Sequence, residues 1–318
     1  MKKVISALLS IMLIMSIIPF SVFATDDFDI SDYTWEDIMS MSSSEFRELL
    51  SDFERVYDPF DTYETDPIMG SQETQNDGGI QLYWSSGNMK MTETGSHELI
   101  TARACGVLLN DKGFWGGNQG GSILIALTLS LASILPDRRQ IPLRDTAFAG
   151  HFYDPDTLAT WSGDTVFTAR TNTKYFFDKA KEVYSPNQLG DNFIEYAGRM
   201  LHYIQDASEP HHAANITAFQ YNNAHGKFED FADENLNSYI DNFTTITDSV
   251  YTFACLYSIG TLLHTTAQIA KSYAPKVINV SDQSQWSNVA GITTRTAVQY
   301  SAMALYKLSI ELNIPLTK

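Results

Sequence analysis

Cysteine is nearly absent. The 318 residues hold only Cys105 and Cys255, so no disulfide framework braces the fold, and neither cysteine has zinc-finger spacing. Both stand in apolar, helix-like stretches, where the expectation is two buried free thiols acting as small hydrophobes; a single bridge is the other reading. Basic residues are also scarce, with 21 Lys and Arg against 38 Asp and Glu and a net charge of −17. A chain so poor in clustered cations has no footprint for nucleic acid. The imbalance is local, because residues 25–83 hold sixteen Asp and Glu against Arg47 and Arg55 alone. Everything after Tyr83 is a mildly acidic domain of about −5. Alternating runs are few and internal repeats are missing, which leaves a helical domain as the natural class.

The chain opens on Lys2 and Lys3, an apolar run from Val4 to Phe20, and then Val22-Phe23-Ala24. That order predicts a signal peptide over residues 1–24, cleaved after Ala24, and hence a secreted protein; the run is short for a transmembrane anchor. Residues 25–83 are expected to form an acidic, partly disordered prosegment. Within it Ser42 to Val56 places Phe46, Leu49, Leu50 and Phe53 on one helical face. Such an arm either covers a cationic cleft or serves as a solubilising linker. Residues 84–318 have the size and periodicity of one all-α domain.

Four stretches define that domain. Ser96 is the expected cap of a helix reaching about Leu109, and Gly121 to Leu135, closed by Pro136-Asp137, reads as a buried central helix. Asn192 to Asp206 puts Phe193, Ala197, Met200, Leu201 and Ile204 on one face and Glu195, Arg199, His202 and Asp206 on another. The last helix spans roughly Trp286 to Leu312, with Val298, Ala302, Leu305, Leu308 and Leu312 at core spacing. The loop from Ala149 to Thr157 mixes His151 with aromatics and acids, as site-bearing loops do.

His202 and Asp206 stand four residues apart on a helix, so an imidazole and a carboxylate project from one face toward a single metal ion. His225 and Glu229 repeat the spacing. One such pair is commonplace on a solvated face; two pairs within 28 residues, with His212 between them, point to a metal site. His211 is expected to be a bystander and His264 a packed core histidine.

His202-Tyr203-Ile204-Gln205-Asp206, Pro210, His212-Ala213-Ala214-Asn215, His225 and Glu229 together resemble the signature of the bacterial zinc-dependent phospholipase C family. The likeness extends upstream through Gly150 to Asp156, with His151 as a second histidine, Asp137 at the place of a metal-binding aspartate, and His97 matching the first histidine. It also reaches Trp84, because in this family the mature chain begins with a tryptophan whose α-amine and carbonyl bind zinc. While Tyr83 remains joined to Trp84 that amine is an amide, so the resemblance implies a zymogen and a processing protease.

By the resemblance, three zinc ions are implied. One takes Asp137, His151, His202 and Asp206, one takes His212, His225 and Glu229, and one takes Trp84, His97 and a bridging Asp206. Asp137 is the implied catalytic carboxylate, orienting or deprotonating the attacking water. The expected activity is hydrolysis of the glycerol-side phosphodiester of phospholipids by a monomer working at a membrane or micelle surface. Two departures bear on the headgroup: Phe148 keeps one aromatic of the family's choline box, but Arg138 and Gly87 replace its tyrosine and glutamate. Arg138 favours an anionic or hydroxylated headgroup through bidentate hydrogen bonds. The sequence stops six residues after the last helix, with no β-sandwich, which leads to the expectation of better turnover of dispersed lipid than of intact membranes. Two rivals remain, a single-strand nuclease of the same fold and a non-catalytic zinc-binding surface protein.

Overall fold

A computed structural model describes residues 29–57, 60, 95–138, 148–186 and 189–318. The expected all-α class holds: among the described residues there is no strand, and Asp154 and Ala159 form an isolated bridge. Two helices precede the domain proper, α1 (Trp35–Ser40) and α2 (Ser43–Val56). The domain contains α3 (Ser96–Lys112), α4 (Gln119–Ser133), α5 (Leu135–Arg138), α6 (Ala169–Val183), α7 (Asp191–Asp206), α8 (Pro210–Ala213), α9 (Ala224–Glu234), α10 (Leu236–Ile240), α11 (Asp248–Leu256), α12 (Ile259–Lys271) and α13 (Trp286–Leu312).

Helix starts follow local chemistry. Asn118 Oδ1 accepts from Gly121 N at 2.8 Å and opens α4, which is apolar on all sides and accordingly buried along most of its length. The stretch Gln119–Arg138 is long and apolar enough to cross a membrane by length and composition, yet most of it lies inside the protein. At α3 the expected cap shifts by one residue: Gly95 precedes the helix and its N–H is bonded by the Glu98 carboxylate at 2.9 Å, while Ser96 is the first helical residue. Long α13 runs through the core and packs against α3, α7, α10, α11 and α12.

Helix α7 lies against α4 because Gly198 has no side chain. A Cβ there would overlap both the side chain and the backbone of Ala132. That close approach, one turn before His202, brings the C-terminal carbonyls of α4 within reach of the site.

Residues 29–57 are docked onto this domain. Ile30, Trp35, Ile38, Phe46, Leu49, Leu50, Phe53 and Phe60 are buried in the same apolar cluster as the domain's own core. Trp35 meets Phe114 edge-on with centroids 6.1 Å apart, and the Met39 thioether occupies the space left by Gly106 on α3. The rim is ionic: Arg47 Nη2 donates to both oxygens of Asp233 at 2.9 and 3.0 Å, and Arg138 Nη1 to Glu54 Oε1 at 3.0 Å.

The cysteines depart from expectation. Both are free, but only Cys105 is buried; Cys255 is exposed on α11, a nine-residue helix that turns its buried side chains, Tyr251 and Ala254, inward on the other face.

Candidate metal centre

Eight of the nine implied ligands converge: His97, Asp137, His151, His202, Asp206, His212, His225 and Glu229. The ninth, Trp84, lies outside the described residues. Helix α7 supplies the hub. His202 Nε2 and His151 Nδ1 stand 3.0 and 2.8 Å from Asp206 Oδ2 and 2.9 Å from each other, with Asp137 Oδ1 at 3.6 and 3.7 Å from the two rings. His97 Nε2 approaches the other Asp206 oxygen at 3.6 Å. On the far side His225 Nε2 and His212 Nε2 lie 2.9 and 3.3 Å from Glu229 Oε1. His212 Nδ1 is 3.7 Å from Asp206 Oδ1, which links the halves.

Three rings are held in one tautomer. His202 Nδ1 faces the Ser133 carbonyl at 2.8 Å, and His212 Nδ1 faces the His151 carbonyl at 3.0 Å. A carbonyl only accepts, so both Nδ1 atoms carry hydrogen and both Nε2 atoms turn a lone pair toward the carboxylates. His97 Nδ1 meets Gln205 Oε1 at 2.6 Å, and Gln205 Nε2 is engaged by the hydroxyls of Thr101 at 2.9 Å and Ser301 at 3.4 Å. This amide orientation makes Gln205 the acceptor and again frees Nε2 on the imidazole. Gln205 is thus the residue that orients His97.

Local structure explains the convergence. Glu209 caps α8 and Pro210 follows at its first position, which fixes the turn that presents His212. Asn223, left-handed at φ 55°, caps α9 with its side chain and brings His225 into the first turn. Phe152 stacks on His212 with centroids 4.5 Å apart, walling the site with an apolar face.

The electrostatics call for a cation. Asp137, Asp206, Glu209 and Glu229 are all at most 9 % exposed at their side chains, and among the described residues they pair only with histidines. Burial pushes Glu229 well above its usual range; at Asp206 the same effect is overcome by the imidazoles of His202 and His151, which hold it well below. Burial, reinforced by the neighbouring His202, lowers His97 to about 4. The Nε2 atoms of His97 and His212 are buried without a hydrogen-bond partner. Four ligand atoms around one tetrahedral zinc lie roughly 3.3–3.6 Å apart, given bonds of ~2.0–2.2 Å. The histidine–carboxylate pairs given above are 2.8 to 3.7 Å apart and the ligand atoms of each group lie within 4.8 Å of one another, so the residues fit zinc.

His211 stands outside the candidate ligand groups but is fully buried beside them, with Nδ1 2.6 Å from Glu209 Oε1 and its ring stacked 5.4 Å from that of His225. His264 is half-buried, accepting or donating through Nδ1 to the Tyr153 hydroxyl at 2.8 Å, because α12 leaves that face partly open. Glu209, unremarked in the sequence, groups with His212, His225 and Glu229; the Glu-Pro step preceding the histidines was the available signal. Of the implied headgroup residues, Arg138 is exposed and paired with Glu54, and Phe148 opens the turn Phe148–His151 with its side chain outside the described residues.

Comparison with known proteins bears out the resemblance. A phospholipase C of Bacillus cereus is 30% identical over 171 residues, 52% of this chain and 60% of the relative. A phospholipase C of Listeria monocytogenes is 26% identical over 208 residues, 65% of this chain and 70% of the relative. The chain thus spans about 60% of the length of the Bacillus cereus enzyme it matches. Among solved structures, the alpha toxin of Clostridium absonum superposes with a TM-score of 0.58 at 25% identity, covering 69% of this chain and 64% of the toxin. The Clostridium perfringens alpha-toxin, at 22% identity and a TM-score of 0.57, shares the fold. No family model matches the chain.

Proposed function

We propose that this chain, whose curated relatives are phospholipases C, is a secreted zinc-dependent phosphodiester hydrolase. It cleaves the glycerol-side bond of phospholipids to diacylglycerol and a phosphorylated headgroup. One observation carries the reading: imidazoles from three separated stretches, locked with Nε2 lone pairs inward, meet buried carboxylates that have no Lys or Arg partner among the described residues. Zinc held by these residues, three ions with Trp84 included, would supply a water acidified toward a pKa of ~7 and a positive clamp for charge developing on phosphorus.

The chain's own residues divide the remaining work. Asp206 bridges the His97 side and the His202 side, keeping the ligands in register. Asp137, the most accessible of the four carboxylates, is the candidate for orienting the attacking water or taking its proton. Phe152 excludes solvent from the His212 wall. Cleavage between Tyr83 and Trp84 releases the α-amine that completes the site, and leaves residues 29–57 held by docking contacts alone. Arg138, freed from Glu54, selects an anionic or hydroxylated headgroup together with Phe148.

A lipid surface as the site of action is supported by two loops that leave from ligand residues. The loop after His151 exposes Leu158, Trp161 and Val166, and the loop after His212 exposes Phe219 and Tyr221. The loops are tied by Asn215 Nδ2 donating to Ala159 O at 3.1 Å. Apolar tips beside a polar site suit entry into a headgroup layer.

The test uses the secreted protein, its N-terminus and zinc content read by mass spectrometry. Hydrolysis of bis-p-nitrophenyl phosphate and of phosphatidylserine, phosphatidylinositol and phosphatidylcholine vesicles is then followed with and without a chelator. Chelator-sensitive release of diacylglycerol from the anionic lipids is expected. A zinc-loaded protein inert on every phosphodiester would make it a scaffold, and a strong preference for phosphatidylcholine would remove the role given to Arg138.

A further inference from the structure

We infer that Glu209, outside the ligand set implied by the resemblance, is a positioning residue for the His212–His225–Glu229 zinc ion, held in place for that purpose by His211. The inference rests on the zinc reading of the site. A carboxylate is more than the cap of α8 needs. One oxygen suffices to accept an N-terminal N–H, and the short side chains of Ser, Thr, Asp and Asn do so at such positions. Here a full carboxylate is taken to zero exposure, which is costly unless its charge is answered.

Its two oxygens are both directed. Oε2 accepts from the His212 backbone N–H at 2.7 Å, and Oε1 faces His211 Nδ1 at 2.6 Å. The first bond fixes the backbone of a ligand; the second fixes the carboxylate. A ligand atom of Glu209 also lies within 4.8 Å of those of His212, His225 and Glu229, so two buried carboxylates share one small volume. Without a cation between them such an arrangement repels itself. With zinc present, Glu209 raises the negative charge around the ion while leaving its coordination to His212, His225 and Glu229. Partners of this kind, one bond removed from the metal, typically contribute ten- to a hundredfold in affinity.

Three variants separate this role from plain helix capping: Glu209→Gln, which keeps an acceptor for the His212 N–H but drops the charge; His211→Leu, which removes the anchor; and His211→Asn, whose amide donates from about the same place. Zinc content is measured after dialysis against rising chelator, and melting temperatures are taken with and without metal. Glu209→Gln and His211→Leu should lose one zinc equivalent at a chelator concentration ten- to a hundredfold lower than the parent, with the other equivalents unmoved and His211→Asn close to the parent. The melting temperature should fall further in the zinc-loaded than in the zinc-free form. Equal falls in both forms, or retention like the parent's, would overturn the inference and leave the zinc reading intact. A parent protein that holds no zinc would overturn both.

Discussion

The docked arm and the metal centre both join distant stretches of this chain, and they do it by opposite arrangements. At the arm, apolar side chains lie inside and charges outside: Phe46, Leu49, Leu50 and Phe53 are buried, while Arg47–Asp233 and Glu54–Arg138 ring them at the surface. At the centre the order is inverted, with carboxylates and imidazoles innermost and Phe152, Phe228 and Trp286 around them. The first arrangement is stable by itself, since burial of apolar area needs no partner beyond a matching surface. The second is stable only when the inner charges are answered. One region therefore belongs to the fold, and the other, on the zinc reading, to its ligand.

The strongest way to break that comparison is Phe53→Ala. Phe53 is 1% exposed and shares the domain's core cluster, so the loss should be about 3–5 kcal/mol. If the arm is part of the cooperative unit, urea unfolding keeps a single transition at a lower midpoint; an early separate transition would make the arm a detachable layer.

In the metal-free protein the centre should respond to acid through His97. His97 is held at about 4 in the folded protein against 6.5 as its ordinary value. Between those values the unfolded chain binds a proton that the folded one does not, so the His97 contribution to the stability of the metal-free protein falls as pH falls, opposite in sign to the contributions of Glu98 and Glu229, whose carboxyls burial pushes up. The slope from this group is about 1.4 kcal/mol per unit, with no further loss below its folded pKa. Comparing parent and His97→Gln over pH 4 to 7 isolates the contribution; parallel curves would show that His97 is not the group responsible.

Gly198→Ala tests whether helix packing sets the site. The new methyl would overlap Ala132, at a cost of roughly 1–3 kcal/mol, and would move His202 Nδ1 from the Ser133 carbonyl. Weaker zinc retention is expected along with the lower midpoint. A lower midpoint with unchanged retention would mean that α7 shifts as a body and carries its ligands with it.

Arg47→Ala sharpens the picture of the rim. The Arg47–Asp233 pair is partly exposed, so its removal should cost less than about 1 kcal/mol, and the difference from the parent should shrink further at high salt. A larger, salt-independent loss would move this contact from the rim into the core of the arm interface.

Much of both regions was legible in the residues. Four-residue spacing of His202 with Asp206 and of His225 with Glu229 is a property of any helix, and α7 and α9 present those pairs as the periodicity requires. The face of Phe46, Leu49, Leu50 and Phe53 was likewise written in the 3.6-residue period, and α13 spans Trp286–Leu312 as read. What such patterns do not contain is a partner. Nothing in them tells which apolar face meets which, why His211 turns to Glu209, or that Cys255 ends on an exposed surface.

By itself, then, the sequence determined the helical class, the positions of the histidine–carboxylate pairs and the acidic character of the leading segment, because these depend on neighbours within a turn or two of one another. Tertiary structure alone decided that Glu54 meets Arg138, that the Ser133 carbonyl sets the tautomer of His202, and that Glu209 stands against Glu229. Each of those depends on two helices approaching at one place, and the approach is set by volumes such as the missing side chain of Gly198, which no periodicity records.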